Sequence, residues 1–146
     1  MGSITIVGLG PGPFGCISLE TWDVLRQAPV LLLRTAVHPT VDELRQRGLV
    51  WESFDMAYEQ GNNFDSIYAA IADAVLKRAE TGENLVFAVP GSPMVAEKTV
   101  GLIRTAAAAR NIPLKVLPGM SFFELLCNRL GVDPQAGLTL VDAQEV

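Results

Sequence analysis

Residues 85–93 read LVFAVPGSP, and this stretch decides the fold. Its first five residues are apolar without alternation, which predicts a strand buried on both faces of a parallel sheet. Its last four residues are proline, glycine and serine, which predict a tight turn. Similar turns follow two other apolar runs, and we call them the first (8–13, GLGPGP), second (90–93, PGSP) and third (118–121, PGMS) turns. Because ligands bind beyond the carboxyl ends of parallel strands, the three turns predict one ligand floor.

The composition restricts the class of protein. A chain of 146 residues predicts one domain with a real core. A net charge of −5, with no local cluster of Lys or Arg, gives no basic footprint, so no nucleic-acid partner is expected. Two widely separated cysteines fit inert thiols in a reducing cytoplasm. No signal peptide or bilayer-length apolar stretch is visible, so no membrane association is expected. The hydrophobic fraction of 49% predicts surface meant for a partner or a second lobe.

Predicted strands and helices alternate along the chain. The predicted strands are residues 4–7, 30–33, 49–54, 85–89 and 114–117. The predicted helices are residues 18–27, 40–47, 63–80, 93–110 and 121–130. This order predicts an α/β fold, an open parallel sheet of about five strands with helices on both faces. Residues 138–141 are a candidate for one more strand.

Polar residues at the expected helix starts predict the N-caps. The five predicted caps are Ser18, Thr40, Asn63, Ser92 and Ser121. Thr40 and Ser121 each stand three residues before a glutamate, which is the spacing of a capping box. Pro93 follows Ser92 at the first helical position, where proline is favoured.

The first turn also matches the dinucleotide fingerprint GxGxxG over residues 10–15. Pro11 and Pro13 remove two N–H groups from the loop that would hold a pyrophosphate. The second predicted strand ends in Arg34 rather than in an acidic residue, so NADP is disfavoured but stays open. No Walker A sequence occurs. A proline-rich turn instead presents carbonyl oxygens without competing donors, which suits a cation such as the sulfonium of S-adenosylmethionine. The alternative, three tight connections with no ligand, also stays open.

Three segments resemble the tetrapyrrole methylase family, the class III S-adenosylmethionine-dependent methyltransferases; they are residues 7–12, 88–93 and 117–121. Three further segments are similar to its YabN-like branch, in which this domain often precedes a MazG-type nucleotide pyrophosphohydrolase; they are residues 33–40, 52–55 and 68–72. The resemblance implies methyl transfer from S-adenosylmethionine to a small-molecule acceptor that the sequence does not name. It also implies a homodimer and two α/β lobes. Residues 1–119 would be the N-terminal lobe, and residues 120–146 a linker helix and the start of an incomplete second lobe.

By motif position, the resemblance implies cofactor contacts at Pro11, Pro90, Gly91, Ser92, Val95, Ser121 and Phe122. The family's second turn usually reads Gly-Asp-Pro, so Ser92 replaces a carboxylate near the expected cation. No closely spaced cluster of acidic metal ligands like that of a MazG-type enzyme is present, so pyrophosphohydrolase activity is not expected in this chain. The alternative function is a catalytically inactive methylase-like regulatory domain that partners such a hydrolase.

Two residues beyond the second predicted strand are candidate substrate contacts. His38 is a candidate for proton transfer, although a loop histidine beside a helix cap needs no function. Arg34 could hold a substrate carboxylate or pair with Asp55. Asp55 and Glu59 are spaced i,i+4, but a metal site needs more ligands, so a solvated face is favoured and no metal is expected. No catalytic residue is assigned, because transfer of a methyl group from a sulfonium needs alignment more than acid–base groups.

Overall fold

A parallel sheet of five strands organises residues 1–143, the part of the chain that the computed structural model describes. The strands are β1 (Ser3–Gly8), β2 (Val30–Leu33), β3 (Glu52–Ser53), β4 (Asn84–Val89) and β5 (Leu114–Val116). They lie in the order β3-β2-β4-β1-β5, and every neighbouring pair is parallel. The predicted α/β fold is therefore confirmed.

Helices cover both faces of the sheet. They are α1 (Leu19–Gln27), α2 (Pro39–Gln46), α3 (Asp55–Gln60), α4 (Phe64–Glu80), α5 (Lys98–Ala109) and α6 (Phe122–Leu130), with short 3-10 turns at Phe14–Cys16 and Pro134–Ala136. One core packs α4 and α5 against the sheet, and a second core packs α1 and α2 against the opposite face. The central strand β4 serves both, because Phe87 enters the first core and Ala88 the second. This explains its continuous apolar run.

Three of the predicted N-caps are confirmed. Ser18 accepts a hydrogen bond from the backbone N–H of the third residue of α1, and Asn63 does the same for α4. Ser121 and Glu124 form the predicted capping box of α6. These caps pair backbone N–H groups that the first helical turn leaves without partners.

The predicted cap at Thr40 is wrong. Pro39 occupies the first position of α2, which moves the cap back to His38, whose ring accepts from the Thr40 N–H. The start predicted at Pro93 is also wrong, because α5 begins at Lys98. Ala96 has a φ of 53°, in the left-handed region, and this conformation prevents a helix from passing through residues 93–97.

The structure differs from the predicted elements at the β3 edge of the sheet and towards the end of the chain. The strand expected at residues 49–54 is reduced to the two residues of β3 at the sheet edge, and α3, which was not predicted, follows it. Residues 138–141 are not a strand. No residue after Ser121 is buried within the described chain, and residues 144–146 of the expected second-lobe segment lie outside the described residues. Within residues 1–143, we find no helix with both the length and the apolar character that a membrane crossing requires.

Candidate functional site

The three turns meet at one end of the sheet, as predicted. Their strands β4, β1 and β5 are neighbours, so all three chains leave the sheet side by side. Gly10 and Gly91 exchange two backbone hydrogen bonds, of 3.1 and 2.8 Å, which join the first and second turns. A side chain on Gly8 would place its Cβ 2.2 Å from the carbonyl oxygen of Gly91. Glycine is therefore required at Gly8 because two backbones touch there.

The start of α2 fixes the first turn. The hydroxyl of Thr40 is fully buried and shares its one proton between the carbonyl oxygens of Leu9 (3.1 Å) and Gly12 (3.2 Å). The half-buried His38 ring has Nε2 2.8 Å from the carbonyl oxygen of Gly10 and accepts the Thr40 N–H on Nδ1. This pattern places the ring proton on Nε2. Burial lowers the pKa of His38, and the hydrogen bond to Gly10 only partly opposes that effect.

A cavity of about 260 Å³ lies where the three turns meet. It is lined by all seven residues predicted to contact a cofactor, which are Pro11, Pro90, Gly91, Ser92, Val95, Ser121 and Phe122. Both predicted substrate contacts, Arg34 and His38, line the same cavity. Gly10, Ala96 and Glu97 complete the lining. Residues that are far apart in sequence are thus brought into one wall.

The carbonyl oxygens of the turns divide into two groups. Those of Leu9, Gly10 and Gly12 already accept hydrogen bonds from α2, His38 or the second turn. Within residues 1–143, the carbonyl oxygens of Pro11 and Pro90 accept none. Among the cavity-lining residues of the first and second turns, Pro11 and Pro90 are therefore the positions whose carbonyl oxygens remain available to a cation.

Glu97 is the charged cavity residue that sequence reasoning missed. Its side chain is only 7% exposed, and its Oε2 lies 3.2 Å from Nε of Arg34. Burial raises the pKa of the Glu97 carboxyl, and the charge of Arg34 offsets this only in part. Reading residues 93–110 as one helix hid this residue, whereas the turn before α5 carries it inward. A carboxylate thus lines the cavity although Ser92 replaces the aspartate of the second turn.

The guanidinium of Arg34 is hydrogen-bonded at one of its nitrogens and unpaired at another. Its Nη1 donates to the hydroxyl of Tyr58 on α3, and the Nε atom is buried. Although Glu97 lies close to Nε, the geometry does not make a hydrogen bond, so Nε donates to no group in residues 1–143. Arg34, Ala96 and Glu97 also line a second cavity of about 730 Å³, so they form the wall between the two cavities.

Asp55 does not pair with Arg34, so that alternative is wrong. Its carboxylate accepts the Thr35 hydroxyl and the Ala36 N–H, the latter at 2.8 Å. Partial burial would raise the pKa of Asp55, but hydrogen bonds and the nearby charge of Arg34 together outweigh it, so the pKa is lowered. Asp55 therefore fixes the chain after β2. Among the described residues no group of three or more His, Cys, Asp or Glu side chains is placed to hold a metal.

Comparison with known proteins identifies similar chains. A family model described as "Tetrapyrrole (Corrin/Porphyrin) Methylases" matches residues 3–143. The chain is 39% identical over 142 residues to the uncharacterized protein YabN of Bacillus subtilis (strain 168). That match covers 97% of this chain but only 29% of YabN, so the chain spans less than a third of this relative.

Solved structures share the fold. The chain is similar to uroporphyrin-III-C-methyltransferase from Thermus thermophilus, with a TM-score of 0.69 and 25% identity over 90% of this chain and 54% of that one. It is also similar to a structure of uroporphyrin-III C-methyl transferase from Thermus thermophilus complexed with S-adenyl homocysteine. There the TM-score is 0.62 and the identity 24%, over 88% of this chain and 48% of the other.

Proposed function

Since the chain belongs to the tetrapyrrole (corrin/porphyrin) methylase family, we propose that its three turns bind S-adenosylmethionine for methyl transfer to a small-molecule acceptor. The observation that carries this proposal is the single cavity lined by residues of all three turns. A solved structure of similar fold is complexed with S-adenyl homocysteine, which also supports it.

The residues present fit such a cofactor. A sulfonium cation suits the unpaired carbonyl oxygens of Pro11 and Pro90, while Val95 and Phe122 offer apolar surface to an adenosyl group. The cavity of about 260 Å³ is slightly smaller than the range of about 300–1,000 Å³ that is common for ligand pockets. We therefore propose that residues 1–143 enclose part of the cofactor.

When bound, S-adenosylmethionine supplies a methyl group on a cationic sulfur. The role proposed for this chain is to orient the cofactor and exclude water, because a direct displacement is accelerated chiefly by alignment of the reacting atoms. The mutually bonded Gly10 and Gly91 and the anchored Leu9 carbonyl give the turns a fixed position. Such preorganisation lowers the cost of ordering the site when the ligand binds.

Titration calorimetry of the full-length protein with S-adenosylhomocysteine tests this proposal. We expect saturable binding that is lost in Val95→Trp, because an indole would fill the cavity. The matched control is Val50→Trp, since Val50 is 87% exposed and does not line this cavity. Absence of heat with the parent protein, or equal binding by Val95→Trp, would contradict a cofactor site between the turns.

A second candidate function is a methylase-like binding module without catalysis. Ser92 favours it, because this position lacks the aspartate expected in the second turn. Incubation with methyl-labelled S-adenosylmethionine and a small-molecule cell extract separates the two functions. Transfer of label supports the enzyme, whereas binding without transfer supports the module. For this second function we propose a nucleotide pyrophosphohydrolase as the partner.

The resemblance to the family also implies a second lobe and a dimer. We propose that residues 120–146 lead from the lobe of residues 1–119 into a second lobe, that the protein is a homodimer, and that it acts in the cytoplasm. The exposed apolar side chains of α6, such as Leu126 (46% exposed) and Leu130 (65%), are consistent with a covered face. Sedimentation of the full-length protein tests the dimer.

A further inference from the structure

Two residues with opposite charges stand out in the cavity. Its lining contains one guanidinium, that of Arg34, and one carboxylate, that of Glu97, and no other lysine, arginine, aspartate or glutamate. Both side chains are largely buried, at 17% and 7% exposure, and their closest charged atoms are 3.2 Å apart. A buried charge is costly unless it is paired and hydrogen-bonded, so a buried pair with no hydrogen bond between its two members is an unusual feature.

The edge of Arg34 that carries the unpaired Nε suits a carboxylate. Nη1 is engaged by Tyr58, and this contact orients the guanidinium. The opposite edge is formed by Nε and Nη2, and its buried Nε donates no hydrogen bond within residues 1–143. Two parallel N–H groups on one edge of a guanidinium form the fork that binds carboxylates through two hydrogen bonds.

We propose that Arg34 and Glu97 recognise the amino-acid end of the cofactor, Arg34 binding its carboxylate and Glu97 its ammonium group. This inference rests on the proposed function, because it concerns the same cavity. An α-amino acid carries both charges on one carbon, so it matches a guanidinium and a carboxylate that lie side by side. The ligand carboxylate takes the Nε and Nη2 edge, and Glu97 moves from beside Nε to the ammonium.

The assignment explains two facts together. It gives a hydrogen-bond acceptor to the buried Nε of Arg34, which has none in the structure. It also gives a role to a buried carboxylate in a turn where Ala96, at a φ of 53°, adopts a conformation that is costly for a residue with a side chain. Arg34, predicted as a substrate contact, thus becomes a cofactor contact, and Glu97 is added to the site.

The test compares two ligands that differ in the amino-acid end. S-adenosylhomocysteine carries it, and 5′-methylthioadenosine does not. Calorimetry is performed on the full-length protein and on Glu97→Gln, Arg34→Met and the double variant. Glu97→Gln keeps the shape of the side chain, and the double variant leaves no unpaired buried charge if Arg34→Met fails to fold. Arg26→Met and Glu43→Gln, which remove an exposed charge of α1 and a partly exposed charge of α2, are the matched controls.

We expect the parent protein to bind S-adenosylhomocysteine more tightly than 5′-methylthioadenosine. Each site variant should weaken the first ligand by about tenfold or more, the usual effect of losing a hydrogen bond to a charged group. Binding of 5′-methylthioadenosine should stay within about twofold, and the controls should change neither affinity. If both ligands bind the parent protein equally, or if the variants weaken both equally, the inference is overturned and the cofactor site stands. If neither ligand binds the parent protein, the proposed function itself fails.

Discussion

Replacing His38 tests how α2 fixes the first turn. His38→Ala removes the cap on the Thr40 N–H, worth about 1 kcal/mol, and the bond to the Gly10 carbonyl, worth about 1 kcal/mol more. His38→Asn keeps a good N-cap and loses only the second bond. The expected loss of unfolding free energy is therefore about 2 kcal/mol for alanine and about 1 kcal/mol for asparagine. In Tm this corresponds to about 4–8 °C and about 2–4 °C.

The pH dependence of stability supplies a second readout. The folded-state pKa of His38 is lowered, so the unfolded chain binds its proton more readily than the folded chain. The contribution of His38 to the free energy of unfolding is thus fully present above the ordinary pKa of 6.5. It is lost as the pH falls below that value towards the folded pKa. The loss is at most about 1.4 kcal/mol over the first pH unit. His38→Asn should lack it.

Urea unfolding of the parent protein and both variants at about pH 7.5 and about pH 5.5, either side of the ordinary histidine pKa, measures these effects. The change in unfolding free energy between the two pH values is compared for the parent protein and His38→Asn. The difference between these two changes is the contribution of His38, because the other titrating groups are common to both proteins. Equal destabilisation of the asparagine and alanine variants would refute the cap. An identical pH dependence of stability in the parent protein and His38→Asn would refute the conclusion that the folded protein favours the neutral His38 ring.

Three further substitutions have defined outcomes. Thr40→Val leaves the carbonyl of Leu9 buried without a donor and should cost about 1–3 kcal/mol in urea unfolding, whereas Thr40→Ser, which keeps the hydroxyl, should cost about 1 kcal/mol or less. Phe87→Ala removes a fully buried ring from the central strand and should cost about 3–5 kcal/mol; a loss below about 1 kcal/mol would contradict the described core. Ser92→Asp places a carboxylate in the cavity and should favour the cationic S-adenosylmethionine over neutral-sulfur S-adenosylhomocysteine in calorimetry; an unchanged ratio of the two affinities would contradict a sulfonium site there.

The sequence predicts the central sheet well because burial on both faces leaves a simple signal. The run Leu85–Val89 is apolar throughout, and the structure places it between two strands and two cores. The two-residue β3 lacks that signal, since both of its residues are exposed at the sheet edge. The alternating pattern predicts that the three turns lie at one end of a parallel sheet, whereas the strand order that makes them neighbours is seen only in the structure.

The candidate site is predicted only where glycine and proline mark it. The residues carried over from family motifs line one cavity, but Glu97 carries no local signal of its own. Pro93 has the sequence of a helix start, and only the left-handed Ala96 shows that the helix waits until Lys98. The cap on α2 likewise depends on a contact with Gly10, 28 residues away, which short-range patterns do not contain.

A crystal structure of the full-length protein grown with S-adenosylhomocysteine tests the central claim most directly. We predict that the ligand lies between the three turns, in contact with Pro11, Gly91 and Ser121, within the cavity of about 260 Å³ that they enclose. A ligand bound elsewhere on the chain, or a cavity left empty at saturating ligand, would contradict the claim that these turns form a cofactor site.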